Sequence, residues 1–171
     1  MFDRIILGVD PGTRALGLAC VGAERGAKRP SVIWWETVRT SPSLEPAERL
    51  RRLSVAVREA IARHRPQALA LERLMWGRNT GSAMDVARAS GAVMVAAAEA
   101  GVPVQEYAPL EVKMAVTGVG NASKEQVRRG LGLLLGPAAV PDEPDAADAV
   151  AAALCHLQQS RLRTLAREAA R

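Results

Sequence analysis

Apolar runs and turn residues alternate from the start of the chain. Ile5-Ile6-Leu7-Gly8-Val9 stops at Asp10-Pro11-Gly12, a turn signal, and Leu16-Gly17-Leu18-Ala19-Cys20-Val21 resumes the run, which predicts a hairpin. After a Gly/Lys/Arg/Pro turn from Gly22 to Pro30, Val32-Ile33-Trp34-Trp35 with Val38 predicts a third strand, giving an antiparallel meander. Leu50, Leu53, Val57 and Ile61 then recur at helical spacing, with Arg49, Arg51, Arg52, Arg58 and Arg63 elsewhere around the helix. Ser41 or Ser43 can cap this helix, and Pro66 closes it after about Arg65. Ala68-Leu69-Ala70-Leu71 is wholly apolar and too short for a helix, so it predicts a buried parallel strand ending at Glu72.

A further helix is expected from about Thr80 to Ala100, closed by Gly101 with Pro103 beyond, and a fifth strand from Val102 to Tyr107. Pro109 opens a short helix through Val116, Ser123-x-x-Gln126 is a capping box for the next, and Pro144 precedes a long Ala-rich helix. The order implies a mixed α/β fold without repeats or an internal linker.

Composition narrows this picture. The 171 residues are 49% hydrophobic and 3% aromatic, which suits one domain of closely packed helices on a sheet. That domain is expected over residues 1–160, with 161–171 an Arg/Ala tail that can fray. No run approaches the roughly 18 apolar residues needed to span a bilayer, and the N-terminus lacks the pattern of a signal peptide, so a cytoplasmic protein is expected. Cys20 and Cys155 lie in apolar runs and read as buried thiols in a reducing compartment. A net charge of +5, carried mostly by arginine, favours an acidic partner such as nucleic acid.

Four acids stand where burial normally excludes them. Asp10 and Glu72 each end an apolar strand, whereas Asp145 and Asp148, three apart at a helix start, share one face. Taken singly, Asp10 could simply form a turn and Asp145 could simply favour a helix N-terminus. Asp148 among alanines and Glu72 closing an apolar run are harder to explain that way. If the strands are neighbours and the helix packs beside them, the carboxylates converge, and clustered carboxylates need cations to neutralise them. Hard oxygen ligands select Mg²⁺, with Mn²⁺ as a substitute, and two such ions about 3.5–4 Å apart suit phosphodiester hydrolysis.

The segment from Ile6 to Gly17, with its Asp10-Pro11-Gly12-Thr13-Arg14 core, resembles the first motif of the RuvC family of Holliday-junction resolvases, and Ala70-Leu71-Glu72 resembles the second. Asn79-x-x-Ser82-Ala83 with Ala87-Arg88-x-x-Gly91 extends the second block. Tyr107-Ala108-Pro109, Val112-Lys113 and Lys124-x-Gln126-Val127 resemble the third, and Asp145-Ala146-Ala147-Asp148-Ala149 the last. The resemblance implies an RNase H-like fold of the retroviral-integrase superfamily, a mixed five-stranded sheet flanked by helices. It also implies a homodimer that cuts four-way DNA junctions by paired symmetric nicks in recombination and repair, with a RuvA–RuvB branch-migration complex as partner.

On the same resemblance, Asp10, Glu72, Asp145 and Asp148 are the catalytic and metal-holding set, and Lys113, Lys124 and Arg78 contact phosphates. The chain departs from the family where many members place Phe as a junction wedge: it has Met75 followed by Trp76, either of which could take that role. The small residues between Ala83 and Ala98 would form the dimer contact. Three rivals stand beside this reading: an actin-like sugar kinase or chaperone ATPase, whose first phosphate loop Asp10-x-Gly12-Thr13 also resembles but which needs two such domains where this chain has room for one; a RuvC-like nuclease that processes ribosomal RNA; and a module that binds branched DNA without cutting it. His64, at a basic helix end, and His156, too far from Asp148 to share an ion, read as structural.

Overall fold

The computed structural model describes residues 2–24, 26–27, 29–73 and 80–169. Strands β1 (Arg4–Asp10), β2 (Ala15–Ala23) and β3 (Ser31–Arg39) form the expected meander, followed by helix α1 (Pro46–His64) and strand β4 (Ala68–Glu72). Helix α2 (Thr80–Glu99), strand β5 (Val104–Tyr107) and helices α3 (Pro109–Thr117), α4 (Lys124–Leu135) and α5 (Pro144–Ala169) complete the order. The sheet runs β3-β2-β1-β4-β5. β2 pairs antiparallel with β1 and β3, whereas β1–β4 and β4–β5 are parallel, so the sheet is mixed.

Alternation along the strands sorts the core into two halves. Leu7, Val9, Leu16, Leu18, Leu69 and Leu71 face one way, against Leu53 and Val57 of α1 and Val93 and Ala97 of α2. Ile6, Ala19, Val21, Ala68, Ala70 and Tyr107 face the other way, against α5 and parts of α3 and α4. Small residues fill the second half: the α5 run from Ala146 to Cys155 is entirely buried apart from Asp148. Alanine on both surfaces lets the helix axis lie close to the sheet.

One detail differs from the sequence reading. α1 is not capped by Ser41 or Ser43. Its N-cap is Glu45 with no side-chain cap bond, and Pro46 opens the helix because its fixed φ suits the first turn and its missing N–H is no loss there. Ser41 Oγ and Ser43 Oγ pair with each other at 2.8 Å instead. His64 stacks on Trp34, with ring centroids 4.9 Å apart, and burial lowers its pKa, favouring the neutral form. His156 is tied to the Tyr107 hydroxyl through Nδ1 at 3.0 Å. Both cysteines are buried and free. α5 runs to Ala169, through the stretch from Arg161 read as a tail, and among the described residues no helix is long and apolar enough to cross a membrane.

Candidate active site

The sheet sets the first two acids side by side. The parallel register of β1 and β4 pairs Val9 with Leu71, so Asp10 and Glu72 follow at adjacent strand ends. They share the parity of Gly8 and Ala70 and therefore the α5 face. The third and fourth acids arrive because this face has a notch. A Cβ on Gly17, the residue opposite Asp10, would lie 1.9 Å from the Asp145 carbonyl oxygen, and one on Gly8 would lie 1.9 Å from that of Ala149. Only glycine at both positions lets the first turns of α5 rest on the β1–β2 pair. Asp145 and Asp148 thereby meet Asp10.

Electrostatics register the gathering. Burial pushes the Asp10 carboxyl up to about 8, and Glu72, Asp148 and Asp145 add to the rise in that order while Lys124 opposes it. Glu72 is pushed up to about 7 by burial and then by Asp148, against the pull of Lys113 and Lys124. Burial also raises Asp148; Lys124 opposes, Asp145 adds and Lys113 opposes again. All four predicted acids and both predicted lysines thus act within one cluster.

The lysines come from neighbouring helices. Lys113 lies on α3, and Lys124 is the first residue of α4, aimed by the predicted capping box. In that box Ser123 Oγ accepts from the Gln126 amide at 3.2 Å and Gln126 Oε1 accepts from the Ser123 amide at 2.8 Å. Lys124 Nζ stands 3.9 Å from Asp148 Oδ2 with its side chain 88% exposed, so the pair adds little stability and the ammonium stays available to an anionic substrate.

Sequence reasoning missed the clamps on the approach to α5. Arg128 on α4 donates to the Pro141 carbonyl at 2.9 Å and to Asp142 Oδ1 at 2.8 Å, and Arg39 at the end of β3 pairs with Glu143. Together they hold the segment that delivers Asp145. The acidic pair before Pro144 was the signal available, but its partners lie 14 and 104 residues away in sequence. Met75, Trp76 and Arg78, the remaining predicted site residues, lie outside the described residues, as does Asn79.

Among the described residues, no three carboxylate, imidazole or thiol side chains form a ready-made metal cluster as they stand. The donor chemistry nevertheless fits a hard divalent cation. Burial and neighbouring carboxylates raise the pKa of Asp10, Glu72 and Asp148, and a bound dication would relieve both the desolvation and the repulsion.

Residues 6–156 match the family described as Crossover junction endodeoxyribonuclease RuvC. The RuvC of Moorella thermoacetica is 43% identical over 152 residues, spanning 89% of this chain and 90% of the relative. The solved structure of Thermus thermophilus RuvC is similar at a TM-score of 0.86 and 40% identity, over 94% of this chain and 97% of that one. T. thermophilus RuvC in complex with a Holliday junction substrate gives a TM-score of 0.87 at 41% identity with the same coverage. The five-stranded sheet and its helices are thus RNase H-like, as the sequence resemblance implied.

Proposed function

This chain belongs to the RuvC family of crossover junction endodeoxyribonucleases, and from that premise we propose that Asp10, Glu72, Asp145 and Asp148 form its catalytic centre for cutting Holliday junctions. The reading rests on the mutual electrostatic contact of these acids at the ends of β1 and β4. Divalent-metal dependence comes with the family, and we take the ions to be Mg²⁺, two per site, with Mn²⁺ able to substitute. When bound, they supply Lewis-acid polarisation of the phosphodiester and a more acidic water.

The protein's own part is to hold and orient. Asp10 and Glu72, fixed by strand pairing, give the site its rigid wall, and α5 supplies the opposite side through Asp145 and Asp148. Lys113 and Lys124 hold the backbone phosphate by charge and compensate negative charge as it develops. Hydrolysis leaves a 5′-phosphate and a 3′-hydroxyl. Lys113→Ala and Lys124→Ala should each slow cleavage by roughly 10²-fold. Both lysines lower the Glu72 pKa, so removing either should also move the rise of rate with pH to higher pH. A single-turnover pH profile checks both effects.

We place the dimer contact on the outer face of α2. Gly91 has open space where a Cβ would sit, and Met84 and Val95 are 52% and 57% exposed. Ala87 and Ala98 are exposed beside them, whereas Ala83, read as part of the contact, is buried within the chain. Two-fold symmetry would then present two sites to a two-fold junction, and paired nicks follow. Val95→Glu is expected to sediment as a monomer at micromolar concentration where the wild type is a dimer; an unchanged dimer would move the contact elsewhere. A RuvA–RuvB complex and a cytoplasmic setting complete the proposal, and Met75, Trp76 and Arg78 stay assigned to junction contacts by resemblance alone.

The decisive assay uses a synthetic mobile four-way junction with Mg²⁺, beside duplex, single-stranded and precursor ribosomal RNA substrates. Symmetric nicks on the junction alone are expected. Cutting of the RNA instead, or tight junction binding without nicks in Mg²⁺ or Mn²⁺, would overturn the reading.

A further inference from the structure

Among the described residues the buried polar side chains are Thr13 and Thr40, and one arginine serves both. Arg49 of α1 donates from Nε to Thr40 Oγ1 at 3.1 Å and from Nη2 to Thr13 Oγ1 at 2.9 Å. Thr40 Oγ1 in turn donates to the Thr13 carbonyl, and the Thr40 amide donates to the Arg14 carbonyl at 3.0 Å. The clasped segment is the turn that leaves Asp10. It is already tight, since a Cβ on Gly12 would lie 2.4 Å from the Ala15 carbonyl oxygen. Strand pairing fixes its two ends, and Arg49 with Thr40 fixes its middle to α1 and to the end of β3.

We propose that Arg49 is a positioning residue for the nuclease site, holding the Asp10–Ala15 turn through two threonine hydroxyls so that the Asp10 carboxylate meets its partners in working geometry. The inference rests on the assignment of Asp10 to the catalytic centre. Two features support it. A half-buried guanidinium whose partners are hydroxyls rather than a carboxylate is a costly way to fill space, whereas its rigid fork suits bridging two acceptors at once. The hydrogen bonds of the Arg49 guanidinium go to Thr13 and Thr40, so the route from Arg49 to Asp10 is the hydrogen-bonded turn. α1 packs on the sheet face opposite α5, which keeps Arg49 behind the site.

The test compares Arg49→Met, Arg49→Lys, Thr13→Val, Thr40→Val and the Arg49→Met/Thr13→Val pair in the full chain, at a temperature where melting curves show each folded. Junction affinity is measured without metal, and cleavage as a single-turnover rate with saturating junction and Mg²⁺. Arg49→Met is expected to slow cleavage roughly 10- to 100-fold, the cost of a small misplacement at a reacting centre, with junction affinity and its salt dependence unchanged. Arg49→Lys, which keeps the charge but not the fork, should recover only part of the rate, and Thr13→Val should add little to Arg49→Met.

A normal rate per folded molecule would reduce Arg49 to a stability role and overturn the proposal. Weaker junction binding with a shallower salt slope would make it a phosphate contact and overturn it equally. Should Arg49→Met fail to fold, the threonine variants, each losing a single hydroxyl, decide by the same readouts. Asp10→Asn runs alongside: if it still cuts, the site assignment is at fault, and if it is dead while Arg49→Met cuts normally, only the positioning role falls.

Discussion

Asp10→Asn is expected to lower junction cleavage by about 10³-fold or more while leaving metal-free junction binding intact. The estimate follows from losing several kcal/mol of metal-conferred charge stabilisation at roughly tenfold in rate per 1.4 kcal/mol. The same substitution should stabilise the metal-free protein at alkaline pH. The Asp10 pKa in the fold is about 8 against an ordinary 3.8, so between those values the native state holds a proton that the unfolded chain has released. Its contribution to stability is therefore favourable at low pH and lost as pH rises from about 4 to about 8. Thermal melts of the metal-free protein should show Tm falling over that window, and Asp10→Asn should flatten the fall. Mg²⁺ has to displace the same protons, so its apparent affinity should increase with pH up to about 8. A variant that keeps cleaving, or a wild-type Tm that climbs with pH across this range, would contradict the assignment.

Gly17→Ala should be nearly as damaging, although it touches no reacting group. Its added methyl would meet the Asp145 carbonyl at 1.9 Å, and neither backbone can swing away as a flexible side chain could. Either α5 lifts from the sheet or the β1–β2 pair distorts. The expected cost is about 3 kcal/mol or more of stability and roughly 10²-fold or more in cleavage rate, since Asp145 and Asp148 ride on the displaced turn. Gly132→Ala is the control of opposite sign. There the nearest atom to a new Cβ is Pro137 Cα at an ordinary 3.8 Å, and alanine suits a helix interior better than glycine by about 0.5–1 kcal/mol. Denaturant titration and single-turnover cleavage on both variants settle the comparison; equal effects would mean that the notch at Gly17 plays no part in seating α5.

Strands and helices were legible where local chemistry was unambiguous. Asp-Pro-Gly, the apolar Ala68–Leu71 run, the Ser123 capping box and Pro144 each mark a boundary by a backbone constraint that acts within a few residues. Ser41 and Ser43 misled because proline at position 46 starts α1 without a side-chain cap. The four acids were visible as misfits in apolar surroundings, but their meeting was not, because it depends on which strands are neighbours. The parallel β1–β4 register and the contact of Gly8 and Gly17 with α5 are tertiary facts without a local signature. Arg49 escaped notice for a related reason. Among the many arginines of α1 only its partners distinguish it, and Thr13 and Thr40 stand 36 and 9 residues away.

Manganese anomalous diffraction from crystals of the full chain tests the gathered acids most directly. Manganese density lying between the carboxylates of Asp10 and Glu72 and those of Asp145 and Asp148, and lost in Asp10→Asn, is the expected result. Manganese bound elsewhere on a protein that still nicks the junction would contradict it.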